Sequence, residues 1–111
     1  MGTDFVIVIT TMDSTEKAGW LGRAMIEMRL AACVHMMPVA SVYRWKGEIK
    51  TSEEYRILAK TRADLADSLV EFIKENHPYE VPEIIVTPIL SGHKSYLHWL
   101  NEETGQNPAT D

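Results

Sequence analysis

Two long segments rich in β-forming residues meet at one tight turn, and this feature restricts the possible folds more than any other. The segments are ACVHMMPVASVYRW and EIKTSEEYRILAKT, with Lys46-Gly47 between them. Glycine supplies the positive φ that a short hairpin turn requires. Each arm exceeds ten residues, whereas a strand usually has about 5–6. Pro38 cannot donate to a ladder, so the first arm is expected to bend or bulge there, or to have an unpaired edge. The hairpin is predicted to project beyond its sheet and to invite pairing with another chain.

The other segments alternate between strand and helix patterns. The apolar run Phe5–Ile9 predicts a buried strand that ends at Thr10 and Thr11. Asp13 and Glu16 resemble a capping box, so a helix is expected to begin there. Three further elements are predicted: a helix over 64–75, a strand over 84–90 and a short helix over 96–103.

This order, β-α-β-β-α-β with a terminal helix, predicts an α+β fold of the ferredoxin-like sandwich type. Residues 1–111 are expected to form one domain with an ordered core at about 4–104 and a flexible tail at 105–111. Two helices cover only one face of such a sheet. Either Val6 and Val8, or Phe5, Ile7 and Ile9, must then point to the uncovered face. Apolar area of that kind usually marks an interface, so homo-oligomerisation is predicted.

Composition and charge exclude several classes of partner. Eleven basic and sixteen acidic residues give a net charge of −5, which disfavours nucleic acids and anionic membranes. No window approaches the ~20 apolar residues that a membrane span needs. Cys33 is the single cysteine, so there is no internal disulfide. A cytoplasmic protein is expected.

The segment KENHPYEVPEII, which links the second helix to the last strand, is the first candidate site. Pro78 and Pro82 stiffen it, because proline fixes its own φ and restricts the residue before it. One interpretation is a rigid connector in which Tyr79 packs and Glu83 caps or pairs. The other is that His77, Tyr79 and Glu83 line a cleft between subunits. One histidine and one carboxylate are too few for a metal site within one chain, so a neighbour would supply the remaining ligands.

Cys33, His35 and Met37 form a second candidate site. In an extended strand these alternate residues point to one side. Thiolate, imidazole and thioether together suit a soft ion such as Cu(I). The alternative is that Cys33 and Met37 are core fillers.

Aromatic and basic residues near the hairpin turn suggest a third site. Tyr43 and Trp45 share a face and either pack across the strands or form a stacking wall with Lys60 for an anionic or aromatic small molecule. Trp20 and Trp99 are expected in the core. No catalytic arrangement accompanies the serines and no G-x-S-x-G motif occurs, so the chain is not expected to be an enzyme. Acylphosphatase-type hydrolysis is an alternative that rests on fold analogy only.

Several segments also resemble the CutA divalent-cation tolerance family, above all AACV, YRWKGEI and HPYEVPEI, which appear in the family's order. The resemblance covers about residues 5–100. It implies a homotrimer whose long hairpins interlock, a link to copper and other divalent cations, and a shape similar to that of PII signalling proteins. It also implies that the HPYEVPE loop faces an inter-subunit cleft and that His77 is a copper ligand.

The predicted function is therefore a trimeric module for copper or divalent-cation tolerance that binds a metal or small ligand, with no obligatory cofactor. The cleft residues are Trp45, Lys60, Tyr79 and Glu83, and the metal candidates are His77, Cys33 and His35. The alternative is a trimeric interaction or signalling scaffold that affects metals indirectly.

Overall fold

The computed structural model describes residues 4–105, which form a ferredoxin-like α+β sandwich. The elements in chain order are β1 (Phe5–Met12), α1 (Thr15–Glu27), β2 (Cys33–Trp45), β3 (Glu48–Arg62), α2 (Ala66–Glu75), β4 (Ile84–Ile89) and α3 (Lys94–Glu102). In this part of the chain the strands form one antiparallel sheet with the order β2-β3-β1-β4. The predicted βαββαβ order with a terminal helix is confirmed.

The two faces of the sheet are covered differently. Val6, Val8 and Ile57 belong to the buried core cluster that also contains residues of α1 and α2. Phe5, Ile7 and Ile9 therefore point to the opposite face, which we call the open face, and this decides between the two alternatives. At one end of the open face α3 packs against β3.

The hairpin of β2 and β3 keeps an unbroken register from the pair Cys33–Lys60 to the pair Trp45–Glu48. Pro38 causes no bulge, because β2 is an edge strand and its unpaired side needs no donor there. Lys46 and Gly47 both have positive φ, 50° and 81°, as a two-residue type I′ turn requires.

Most of the hairpin tip lies beyond the rest of the sheet. The pairing of β1 with β3 ends at Met12 and Tyr55. Residues 39–54, here called the projecting ribbon, therefore extend by about seven residues per arm, or roughly 23 Å at ~3.3 Å per residue. The radius of gyration is 14.9 Å, compared with about 13 Å for a compact chain of this length. The predicted projection is confirmed.

Two boundaries near the N-terminus differ from the sequence-based predictions. Thr10 and Thr11 do not end β1, which continues to Met12 because these residues still pair with β3 and are buried. The residue that caps α1 is Ser14, whose Oγ accepts a hydrogen bond of 3.1 Å from the backbone N–H of Lys17. The predicted capping box that began at Asp13 is therefore wrong by one residue.

Later boundaries and two tryptophans also need correction. A 3₁₀ turn, Ala63–Leu65, precedes α2, where the sequence predicted continuous α-helix. The last helix spans Lys94–Glu102 rather than 96–103. Trp20 and Trp99 were expected in the core, but within the single chain they are 57% and 41% exposed because the helix faces that carry them have no second layer above them.

The end of α3 is fastened to the loop between α1 and β2. The Arg29 guanidinium donates to the carbonyl oxygens of Gly105 and Glu102 at 2.8 and 2.7 Å. The Gly105 N–H in turn donates to the Arg29 carbonyl at 2.8 Å. Gly105, the first residue of the predicted tail, is thus held in place, and residues 106–111 lie outside the described part of the chain.

Candidate functional site

The loop between α2 and β4 is tied to the end of β1 through His77. The Nε2 atom of His77 lies 2.6 Å from the carbonyl oxygen of Thr11, and Nδ1 accepts a hydrogen bond of 3.1 Å from the backbone N–H of Tyr79. Because Nδ1 is an acceptor, Nε2 carries the proton and donates it to Thr11. Both ring nitrogens of His77 are therefore engaged within the chain.

Tyr79 extends the same loop to the base of the projecting ribbon. Its hydroxyl donates a hydrogen bond of 2.7 Å to the carboxylate of Glu54, which is only 7% exposed. The imidazole of His77 contacts the Tyr79 ring edge to face, with centroids 4.6 Å apart. Burial, together with the hydrogen bond to Glu54, raises the pKa of Tyr79 above its usual range. We call His77, Tyr79 and Glu54 the loop cluster. Its contacts give physical content to the prediction of a stiff connector.

A second group of polar side chains lies on the open face, where β2 pairs with β3. Cys33 is directly opposite Lys60, and His35 follows two residues later on the same face. Cys33 Sγ is 3.7 Å from His35 Nε2, and Lys60 Nζ is 3.3 Å from His35 Nδ1. An ammonium can only donate, so Nδ1 accepts and the Nε2–H of the neutral ring points at the sulfur. Cys33, His35 and Lys60 form the sheet-face cluster.

The terminal helix α3 limits the freedom of this cluster. Lys60 Nζ lies 5.7 Å from the centre of the Tyr96 ring, and that ring stacks on Trp99 at 5.7 Å. A cation over an aromatic face is attracted by the negative charge of the ring surface. Lys60 is thus held between His35 on one side and α3 on the other.

The residues predicted to form a cleft do not meet within one chain. Trp45 lies at the tip of the projecting ribbon, where Lys46 Nζ is 5.7 Å from its ring centre. Lys60 pairs with Cys33 at the other end of the hairpin. Cys33 and Trp45 are twelve residues apart on β2, so Lys60 is roughly 40 Å from Trp45 at ~3.3 Å per residue. Glu83 is exposed just before β4. A cleft that contains Trp45, Lys60, Tyr79 and Glu83 requires a second copy and stays a prediction.

The candidate metal ligands fall into two places. Cys33 and His35 lie together in the sheet-face cluster, whereas His77 lies in the loop cluster. Within residues 4–105 no group of three or more His, Cys, Asp or Glu side chains is arranged to hold a metal ion. Of the three candidate ligands, only Cys33 and His35 lie close together, and a metal site built on them needs further donors of another kind or from another copy.

Glu54 and Tyr96 are site residues that were not predicted from the sequence. Glu54 follows Glu53 in the run TSEEYRILAK, and nothing in the local pattern distinguishes the buried acid from the exposed one. Tyr96 belongs to α3, and its contact with Lys60 joins segments far apart in sequence. Helical spacing could have placed Tyr96 beside Trp99, but it carries no information on β3.

These features define an α+β protein of the ferredoxin-like class with an unusually long hairpin and a Cys–His pair on its open sheet face. A sequence model described as "CutA1 divalent ion tolerance protein" matches residues 6–103. The chain belongs to this family.

Two relatives show how far the similarity extends. The chain is 44% identical over 100 residues to the divalent-cation tolerance protein CutA of Thermus thermophilus, a match that covers 89% of this chain and 97% of the relative. It is 41% identical over 95 residues to protein CutA of Mus musculus, with 85% and 54% of the two chains covered. The chain therefore spans about half the length of the mouse relative.

Solved structures agree with the fold. The Thermus thermophilus divalent cation tolerance protein superposes with a TM-score of 0.87 at 43% identity, covering 91% of this chain and 99% of that one. CutA1 of Oryza sativa gives a TM-score of 0.90 at 38% identity, with 96% and 98% covered. The resemblance to CutA inferred from the sequence is confirmed.

No helix within residues 4–105 combines the length and apolar character needed to cross a membrane.

Proposed function

We propose that this protein contributes to copper tolerance, as part of the divalent-cation tolerance for which its relatives are named, by binding copper in its reduced form, Cu(I), at the Cys33–His35 pair. The observation that supports this is the distance of 3.7 Å between Cys33 Sγ and His35 Nε2. An ion about 2.3 Å from the sulfur and about 2.0 Å from the nitrogen would hold the two donors at an angle of about 120°. Such an angle suits a three-coordinate ion, so one metal could reach both atoms without a backbone change.

The donor types favour copper in its reduced state. Thiolate and thioether sulfur select Cu(I) over harder ions. On binding, the thiol proton of Cys33 passes to solvent, and the imidazole proton leaves Nε2 while Nδ1 gains one. Met37 is the next residue on the same face of β2, about 7 Å farther along the strand. Its thioether, or a donor from a neighbouring copy, would complete the coordination.

His77 is the other predicted ligand, and its role as one stays a prediction. To bind a metal it would have to release either the bond to Thr11 or the bond from Tyr79. Each such hydrogen bond contributes about 0.5–1.5 kcal/mol net. A metal at the Cys33–His35 pair costs the hydrogen bond from Lys60 to His35 Nδ1 but leaves both bonds that fix the loop intact. We therefore assign His77 to the positioning of the loop rather than to the metal.

We further propose that the protein is a homotrimer, as the resemblance to CutA implied. The projecting ribbon supports this, because within residues 4–105 it pairs with no third strand and an isolated two-stranded ribbon is only marginally stable in water. Val42 and Ile49 on this ribbon are 70% and 68% exposed. A second copy that covers them would also bring its Trp45 toward another chain. Light scattering should return about three times 12.6 kDa, and a stable monomer would contradict the proposal.

The metal proposal is tested by anaerobic titration of Cu(I) against a chromophoric competitor. Cys33→Ser and His35→Ala should each weaken binding at least tenfold, because each removes one donor. Met36→Leu is the matched control. Met36 lies between His35 and Met37 in the chain, but its side chain points to the helix-covered face of the sheet. His77→Ala should bind as wild type does. Unchanged affinity in both Cys33→Ser and His35→Ala would refute the assignment.

A second candidate is a scaffold that acts on metals through a partner protein. The exposure of Trp20 and Met28, each 57%, on α1 and at its end favours it. A Trp20→Glu variant that retains copper binding but loses a stoichiometric partner in pull-down would support this alternative. Recovery of no partner by wild type would contradict it.

Two further expectations remain proposals. We propose that the protein catalyses no reaction. The residue types of the sheet-face cluster suit metal binding, and the family is named for tolerance rather than for a reaction. The cytoplasmic location also stays a prediction, since the rice relative is named chloroplastic and the Archaeoglobus fulgidus protein periplasmic.

A further inference from the structure

The charge of Lys60 lies next to the Cys33–His35 pair, and its position has consequences for the kind of ion that can bind. Lys60 Nζ is 3.3 Å from His35 Nδ1, on the side of the ring opposite Cys33. A metal on Nε2 would lie about 2.0 Å beyond the ring. The ammonium would then be about 6–7 Å from the ion. This inference rests on the proposed copper site.

Within a single chain, the positive charge of Lys60 has no carboxylate partner among the described residues. The nearest basic neighbour on the same strand face, Arg62, is paired with Asp64 at 2.9 Å. The Tyr96 ring stabilises the ammonium without neutralising it.

Metal binding does not remove this charge from the site. When a metal occupies Nε2, Nδ1 carries a proton and can no longer accept from Lys60. The ammonium must then move off Nδ1, but the Tyr96 ring keeps it near β2. The bound ion therefore experiences the repulsion of Lys60 in addition to the loss of one hydrogen bond.

We propose that Lys60 is a specificity-determining residue that makes the Cys33–His35 pair selective for soft monovalent ions, Cu(I) and Ag(I), over divalent ions such as Zn(II). Repulsion grows in proportion to the charge of the ion. At about 6–7 Å and an effective dielectric constant of about 40, it lowers affinity roughly tenfold for each unit of charge. A monovalent ion thus loses about tenfold and a divalent ion about a hundredfold.

Three substitutions separate charge from hydrogen bonding. Lys60→Gln removes the charge but keeps an N–H donor, Lys60→Leu removes both, and Lys60→Arg keeps the charge. Affinities for Ag(I) and Zn(II) are measured by competition titration in chloride-free buffer. We expect Lys60→Gln and Lys60→Leu to bind Ag(I) about tenfold and Zn(II) about a hundredfold more tightly than wild type. Lys60→Arg should keep the wild-type ratio of the two affinities.

The results distinguish this inference from the copper site itself. An Ag(I)-to-Zn(II) ratio that is the same in wild type, Lys60→Gln and Lys60→Leu would overturn the role of Lys60, even if Cys33→Ser abolishes Ag(I) binding. Ag(I) binding that survives Cys33→Ser unchanged would overturn both proposals. Circular dichroism of each variant confirms that the fold is intact.

Discussion

Removal of the Tyr79 hydroxyl tests the structural role of the loop cluster. Tyr79→Phe keeps the ring and its contact with His77 but deletes the donor to Glu54. The hydrogen bond is 2.7 Å long, and its acceptor, Glu54, is buried, with only 7% of the residue exposed. A buried acceptor that loses its donor costs about 1–3 kcal/mol, and bonds to charged groups lie in the upper part of that range. We expect the free energy of unfolding to fall by about 2 kcal/mol.

The assay is urea unfolding followed by tryptophan fluorescence, at equal protomer concentrations because association contributes to stability. Tyr55→Phe is the matched control: it deletes a hydroxyl from a ring that packs against the core and lies on the face of β3 opposite to that of Glu54. Its effect should stay within about 0.5 kcal/mol. Glu54→Gln in the Tyr79→Phe background should restore part of the loss, since a neutral amide is less costly to leave unpaired than a carboxylate. Equal effects of Tyr79→Phe and Tyr55→Phe would refute the reasoning.

The stability difference between wild type and Tyr79→Phe should also depend on pH. The pKa of Tyr79 is raised in the folded state, by burial first and by the Glu54 bond second. A raised folded pKa gives stability that is complete below the unfolded pKa of about 10 and is lost as the pH rises toward the folded value. The difference between wild type and Tyr79→Phe should therefore shrink by roughly 0.8 kcal/mol between pH 8 and pH 10.5. A constant or growing difference would contradict the assigned hydrogen bond.

Three further predictions concern the glycines of α1, the hairpin turn and the attachment of α3. In α1, a Cβ at Gly22 would lie 3.2 Å from a methyl carbon of Val34, whereas one at Gly19 would meet nothing within 4 Å. In urea unfolding, Gly19→Ala should therefore stabilise the protein by up to ~1 kcal/mol, and Gly22→Ala should stabilise it less or destabilise it. Gly47→Ala places a side chain at φ 81° and should cost about 1–2 kcal/mol. Arg29→Lys replaces the two guanidinium nitrogens that donate to Gly105 and Glu102 by a single ammonium nitrogen, so amide exchange in α3 should accelerate while that in β1 stays unchanged.

The fold was predictable where the local pattern carries the information. The turn at Lys46-Gly47 depends on a positive φ that glycine adopts readily, and the two arms show their length directly in the sequence. The end of β1 was not predictable in the same way, because the burial of Thr10 depends on β3 and β4 on either side of it. The two threonines predict the end of β1 from their local polarity, but pairing with the neighbouring strands extends β1 to Met12.

The site was predictable only in part, for a similar reason. Alternation along β2 placed Cys33 and His35 on one face, and the structure brings them together as that pattern predicts. The partners of these residues come from distant segments: Lys60 from β3 and Tyr96 from α3. The position of Trp20 on a helix predicts a core residue, but a helix in an outer layer exposes one side, and Trp20 lies on that side.

The central claim is that one copper ion binds between Cys33 and His35, and X-ray absorption spectroscopy at the copper edge tests it most directly. In protein loaded with one equivalent of Cu(I) per chain, we predict a sulfur scatterer at about 2.3 Å and an imidazole nitrogen at about 2.0 Å. The sulfur contribution should fall in Cys33→Ser. A first shell made only of nitrogen and oxygen in the wild-type protein would contradict the account.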